Sequence, residues 1–492
     1  MREEDNIVNK GRTHSLVRNF IMNALLTMST ILFPLITFPY ASRILHPEGI
    51  GKVSLATSII TYFSRFAQLG IPTYGIRACA RVRDDRKKLT RTAHELLMIN
   101  LFMTAIAYVI LFTVLAFVPR LREERILYFL MSVTILLTSL GMEWLYKALE
   151  QYSYITIRSI VFKIIALVAL FLLVHSEKDY VIYGGITVLA ASASNICNFV
   201  NAHKYIDMKP VRGYQIAQHI RPALVFFSMV GATMIYTNLD TVMLGFMKTD
   251  VDVGYYNAAM KVKTTLVSLV TSLGAVLLPR LSYYIEHHRM EEFERISKKS
   301  ISFIFWIAPA LTLYFILFAG ESIWFLSGSR YGSATVPMQI LMLTLPLVGL
   351  THMLGLQILV PQGKEKSVLY SYLTGAAVDL VLNMLFIPKY ASTGAAIGTL
   401  AAEFSVLIVQ MAALKGTVGK LLRSVRYEKF GIALLLGAIG SIWTKTLQTE
   451  IFGTLVISAV IYFGIYFVSL LLFKESLTIE IVNKLLKRRE KS

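Results

Sequence analysis

Charge is what this sequence has least of. Only 16% of its 492 residues are Asp, Glu, Lys or Arg, against about 25% in a soluble globular domain. Long polar stretches are also missing. The longest lie near 70–92, 279–299 and from Lys474 onward, and none could fold as a soluble domain of its own. Cysteine is scarce: Cys79 and Cys197 sit in or near apolar segments, with no CxxC pair and no histidines at metal spacing. That excludes a disulfide framework and a zinc site. Signatures of covalent chemistry are absent as well: there is no HExxH, no P-loop, no GxSxG and no GxGxxG after a strand. No metal, no cofactor, no ATP-driven step and no enzymatic activity are therefore expected.

What is present is apolar. Hydrophobic residues make up 55% of the chain and the mean hydropathy is +0.60. No soluble core of this size hides so much apolar side chain, but a bilayer accommodates it. About 14 runs are long enough to cross some 30 Å of hydrocarbon as helices. They fall near 17–42, 50–70, 93–118, 125–147, 153–174, 181–203, 220–246, 252–278, 299–319, 335–360, 366–388, 393–414, 428–447 and 452–474. The expected fold class is all-α, a polytopic membrane protein. A shift of 203 lays Gly51 on Gly254 and Ala56 on Ala259, and a shift of 211 lays Leu189-Ala190-Ala191 on Leu400-Ala401-Ala402. Both relate the first six helices to the next six. The expected organisation is a six-helix bundle over 1–205, a second over 206–415, and a C-terminal pair with a basic tail over 416–492.

The net charge of +19 would suggest nucleic acid in a soluble protein. Here the basic clusters sit between apolar blocks, so no nucleic-acid partner is expected. Loops rich in Lys and Arg alternate with short, nearly neutral ones, which places both termini in the cytoplasm. The polar N-terminal residues precede an apolar run from Asn19 to Tyr40 that is too long for a signal-peptide core, so that run reads as the first span.

Ionisable groups within apolar helices are costly and face a cavity or a partner. By depth along their runs, Lys163, Lys261 and Glu403 lie deepest, with Asp379 closer to the outer end and Asp240 near the outer end of helix seven. Arg65 and Glu143 lie near inner ends, where snorkelling to the interface is an equal reading. Lys261 and Lys263, two residues apart, point about 200° away from each other, and Lys261 is the expected lumen residue. Deep cations suit an anionic ligand such as a diphosphate, with the acidic groups balancing them. Structural ion pairing between helices is the competing explanation. Pro34, Pro39 and Pro346 remove helical hydrogen bonds and permit bending.

Several stretches carry a resemblance: LFPLITFPYASRIL (32–45), PEGIGKVSLATSIITYF (47–63), LGIPTYGIRACARVRDD (69–85), EWLYKALEQY (143–152), NLDTVMLGF (238–246), VGYYNAAMKV (253–262), LPRLS (278–282) and IPKYASTGAAIGTLAAE (387–403). Together they touch most of the chain. It resembles the polysaccharide repeat-unit flippases, the Wzx or RfbX-like branch of the multidrug/oligosaccharidyl-lipid/polysaccharide exporter superfamily. Ala391 stands where the family stretch often carries glycine. The resemblance implies two helical bundles and alternating access coupled to an ion gradient. The implied cargo is an undecaprenyl-diphosphate-linked oligosaccharide, moved from the inner to the outer leaflet of a bacterial plasma membrane. Arg65, Lys163 and Lys261 are the positions that fit a cationic substrate cavity, and Asp240, Asp379 and Glu403 fit ion coupling or charge balance. Implied partners are membrane lipids, a polysaccharide polymerase and glycosyltransferases. Alternatives are a drug antiporter or a peptidoglycan-precursor flippase of the same superfamily. A membrane polymerase would need longer outer loops, and an assembly partner would leave the intramembrane charges without a purpose.

Overall fold

A computed structural model describes residues 2–489 apart from 416, 424, 425 and 448. The described residues are mostly helical, with no strand among them. The helices are α1 (Arg2–Gln68), α2 (Ile71–Ala80), α3 (Arg86–Phe117), α4 (Arg125–Leu140), α5 (Glu143–Ala148), α6 (Tyr152–Leu173), α7 (Tyr180–Val188), α8 (Asn195–Asn201) and α9 (Ala217–Met247). They continue as α10 (Asp250–Glu286), α11 (Met290–Leu317), α12 (Ala319–Ser327), α13 (Thr335–Met342), α14 (Thr344–His352) and α15 (Glu365–Leu414). The last four are α16 (Thr417–Leu422), α17 (Tyr427–Ile442), α18 (Ile451–Leu472) and α19 (Ser476–Arg489). Among the described residues, eight helices are long and apolar enough to cross a membrane, or nine with the bent pair Ser329–Met342 and Thr344–Leu359.

Two of the long helices each hold two of the expected spans across a sharp break. In α1 the break is His46, with φ 56° and ψ 179°. Pro47 follows it, pre-set for the first turn of a new helix. In α15 the break is Ala391, with φ 47° and ψ −126°. That conformation is left-handed and normally glycine's, so the alanine that departs from the family stretch sits at a strained turn. Other ends are capped by side chains. Asp85 accepts from the amides of Lys87 and Lys88 to start α3, and Thr249 with Asp252 forms a reciprocal capping box at α10. Gly70, at φ 72°, turns the chain into α2 where an added Cβ would lie 2.5 Å from the Phe227 amide nitrogen.

The chain divides into two compact units, Met1–Ile235 and Tyr236–Ser492. In the first, α1 packs on α3, α4 and α6, while α2 packs on α3 and α5. Leu69, Ile71, Cys79, Leu96, Met142, Trp144 and Leu145 form one apolar core there. In the second, α10, α11, α13, α14 and α15 pack together and the α17–α18 pair lies against α11 and α12. Gly437 and Gly440 let α17 approach Tyr462 and Ile465 of α18 closely, the small-residue packing that lipid-embedded helices use.

Polarity runs inside out. Large apolar side chains lie uncovered along the spans, among them Leu172 at 68%, Ile439 at 70% and Val460 at 69% exposed. Buried groups include many that are polar, such as Glu95, Asn100, Asn198, Asp379, Asn383 and Gln410. A water-soluble protein does not expose such a belt; lipid tails cover it. Tyrosines bind helices to one another by donating to backbone carbonyls: Tyr40 to Val174 at 2.9 Å, Tyr146 to Asn198 at 2.6 Å, Tyr154 to Cys197 at 2.9 Å, Tyr314 to Leu455 at 2.9 Å and Tyr466 to Trp306 at 2.8 Å.

Candidate functional site: a buried carboxylate cluster

The second unit buries Asp240, Asp379 and Glu403. Asp379 and Asn383 lie one turn apart on the first part of α15, and Thr399 and Glu403 one turn apart on the second part. Each pair therefore shares a face. Asp240 comes from α9 and is 5% exposed. It accepts three hydrogen bonds, from the Tyr256 hydroxyl at 2.6 Å, the Asn383 amide at 2.7 Å and the Thr399 hydroxyl at 2.9 Å. Asp379, 1% exposed, lies beside Asp240.

Neither carboxylate oxygen of Asp379 has a hydrogen-bond partner, and the Asn383 side-chain oxygen has none. By hydrogen-bond geometry these acceptors are unpaired, although the Asn383 side chain and the Asp240 carboxyl both lie close enough to act on Asp379. Gly398 makes the approach possible, since a Cβ there would fall 2.2 Å from the Asn383 oxygen and 3.1 Å from Asp379 Oδ1. Orphaned buried acceptors cost free energy, and two buried carboxylates side by side repel. A bound proton or an oxygen-seeking metal cation removes both penalties. Nearby, buried Lys263 faces Glu403 at 3.8 Å, longer than a charge-assisted hydrogen bond.

The other expected residues are distributed as follows. Asp240 and Asp379 are brought together, although 139 positions separate them in the chain. Lys261 is half-buried, and of the α10 lysines it is Lys263 that is buried against Glu403. Lys163 is half-buried on α6 and donates to the Ser29 hydroxyl at 2.8 Å. Arg65 has an exposed side chain in the last turn of α1. Glu143 pairs with Lys147 at 2.7 Å and with Arg158 at 3.8 Å.

Arg158 is the cation that sequence reasoning passed over. It is 7% exposed and donates to Ser194 at 2.8 Å and Asn195 at 3.0 Å, while its Nε has no partner. Its acceptors follow a π-helical stretch, Leu189–Ala193, that rotates them toward α6. The expected span over 181–203 gave no sign of that distortion.

The model of the polysaccharide biosynthesis protein family matches residues 16–285. The chain belongs to this family. Two curated relatives of it are putative O-antigen transporters. One, from Escherichia coli K12, is 23% identical over 391 residues, 79% of this chain and 94% of the relative. The other, from Shigella dysenteriae, is 25% identical over 406 residues, 81% of this chain and all of the relative. Among solved structures, the lipid II flippase MurJ in an inward closed conformation matches with a TM-score of 0.75 over 93% of this chain and 99% of that one, at 13% identity. That likeness speaks for the fold. The fold is that of a polytopic helical membrane protein.

Proposed function

We propose that this protein flips a lipid-linked oligosaccharide, an undecaprenyl-diphosphate-linked repeat unit, across a bacterial plasma membrane by alternating access. The observation that carries the reading is the Asp240–Asp379 pair with its unpartnered oxygens, built into apolar helices of a family whose relatives carry the name of O-antigen transporters. A transporter coupled to an ion gradient needs a site whose affinity for the ion differs between states. Asp240 and Asp379 would hold a proton or small cation there, with Glu403 balancing the α10 lysines. Arg65, Lys163 and Lys261 would take the diphosphate while the lipid tail stays in the bilayer. The working parts are the bundles of 1–205 and 206–415 with the pair of 416–492 appended, both termini facing the cytoplasm. No covalent step is required. A polymerase and glycosyltransferases would act on the same sugar-lipid.

The test is deletion of the gene, with the sugar-lipid assayed on each leaflet. Accumulation on the inner leaflet with loss of surface polymer supports flipping. An intermediate that still reaches the outer leaflet but stays unpolymerised refutes it and favours a polymerase. Accumulation of a peptidoglycan precursor instead would reassign the cargo. Charge-neutralising Lys163→Met with Lys261→Met should abolish surface polysaccharide while the protein still reaches the membrane; unchanged polymer would remove the cation site from the mechanism.

A further inference from the structure

The residues between α8 and α9, together with the first turns of α9, are stitched onto one side of the first unit. Asp207 receives Arg86 at 2.9 Å, and its amide donates to Thr90 at 3.1 Å. Arg91 donates to the Arg212 carbonyl at 3.2 Å, and His94 meets the Tyr214 hydroxyl at 3.0 Å. The Gln215 amide donates to Glu95 at 2.6 Å. The anchoring positions 86, 90, 91, 94 and 95 recur at helical spacing on α3, so a single face of that helix holds the whole connector.

At the end of this ladder lies a buried relay. His219 Nε2 is 2.7 Å from Glu95 Oε2, and His219 Nδ1 is 2.7 Å from the Tyr74 hydroxyl. Glu95 is 1% and His219 5% exposed. Gln218 adds a donor to Glu95 at 3.3 Å. The groups facing the relay are Tyr74 and the buried Cys79 from α2, Arg81 just beyond α2, Glu95 and His94 from α3, and the two glutamines of the connector.

Both nitrogens of His219 have a partner that serves either charge state. In the neutral ring, Nε2–H donates to Glu95 and Nδ1 accepts from the Tyr74 hydroxyl. In the charged ring both nitrogens donate, and the Tyr74 oxygen accepts after its hydrogen rotates away. Protonation leaves no orphan, and it turns a carboxylate held only by neutral donors into one partner of an ion pair. Losing the proton leaves Glu95 charged among neutral donors.

We propose that Tyr74, His219 and Glu95 form a proton-binding site that holds the connector on α2 and α3, more firmly when His219 is protonated. All three are positioning residues. Tyr74, Glu95 and His219 all belong to the first unit, and α9, whose first turns carry His219, runs on through that unit's end at Ile235. A dependence of transport on pH through this site rests on the flippase reading above; the pH-dependent docking does not.

The test is hydrogen exchange on the full-length protein in lipid nanodiscs, read at the Gln215 amide as protection relative to its intrinsic rate. Protection in the wild type should be about fivefold higher at pH 6 than at pH 8, the effect of adding an ion pair to a carboxylate that is already hydrogen-bonded. In His219→Gln it should be flat and match the wild-type value at pH 8. Should that variant not fold, Tyr74→Phe decides. It removes one oxygen, leaves the charged ring without a partner at Nδ1, and should move the step to lower pH. A wild type with no step, or a step unmoved in the variant that folds, overturns the proposal. Because no substrate is present, failure here is distinct from failure of the leaflet assay.

Discussion

Replacing Asp379 by asparagine should make the protein more stable and inactive. Asp379 is 1% exposed, lies beside Asp240, and leaves both carboxylate oxygens without a donor. Each orphaned buried acceptor costs ~1–3 kcal/mol. The introduced amide would bring an N–H₂ that can donate to Asp240, turning repulsion into a hydrogen bond. One of the two oxygens is replaced and the other stays an acceptor, so at the low end of that range the gain is about 1 kcal/mol. For a unit of this size that corresponds to an apparent melting shift of about 2–4 °C upward. The assay is tryptophan fluorescence of purified protein on heating at one fixed scan rate, since unfolding of such proteins is a rate process. It is run at several pH values and in sodium against choline salts. The wild type should gain stability with whichever ion it couples to, by the logarithm of concentration over dissociation constant. Asp379→Asn should start higher and answer to none of them, and its surface polysaccharide should be lost. A variant that melts at or below the wild type without ion, and still responds to it, would show that the pair is an ordinary structural contact.

Ala391→Gly should stabilise the second unit by about 1 kcal/mol, because φ 47° carries a Cβ penalty that glycine lacks; a loss of melting temperature would contradict the left-handed turn. Gly70→Ala should prevent accumulation of folded protein, since the added methyl meets the backbone of Ala223, Phe226 and Phe227 at 2.5–2.9 Å and φ is 72°; normal expression and melting would refute that packing. The N-cap carboxyl of Asp85 is held below the usual carboxylate range, chiefly by the Lys88 amide. Its contribution is therefore present above the ordinary Asp value and lost as pH falls through the lower one, so exchange protection at Lys87 and Lys88 should be constant from about pH 8 to 5 and drop only below about 4. Asp85→Ala should remove that acid step.

The helices were legible because runs of apolar residues of membrane length have few other fates, and the resemblance marked Ala391 as out of place before its backbone was known. Depth along a run singled out Lys163, Asp379 and Glu403 as charges within apolar helices. Depth does not give direction or partners, however. Nothing in the spacing told that Asp240 would meet Asp379, or that Lys263 would turn to Glu403. Arg158 escaped because it lies near the start of α6, where arginines ordinarily reach water; here it is buried and held by Ser194 and Asn195, just beyond a π-helical turn. Glu95 and His219 sit at the margins of loops in the sequence, and only the docking of the connector onto α3 shows that both are interior.

The tyrosine contacts between helices bear on how far such a chain can drift. In each, the specific partner is a hydroxyl and the acceptor is a main-chain carbonyl, which every amino acid supplies. The accepting helix can change its side chains at Asn198, Cys197, Val174, Leu455 or Trp306 without breaking the bond. Only the donor is tied to one residue type. A bundle held this way concentrates its sequence requirements in a few positions and frees the rest, so an architecture can persist between chains that share few residues, as this one does with MurJ at 13% identity.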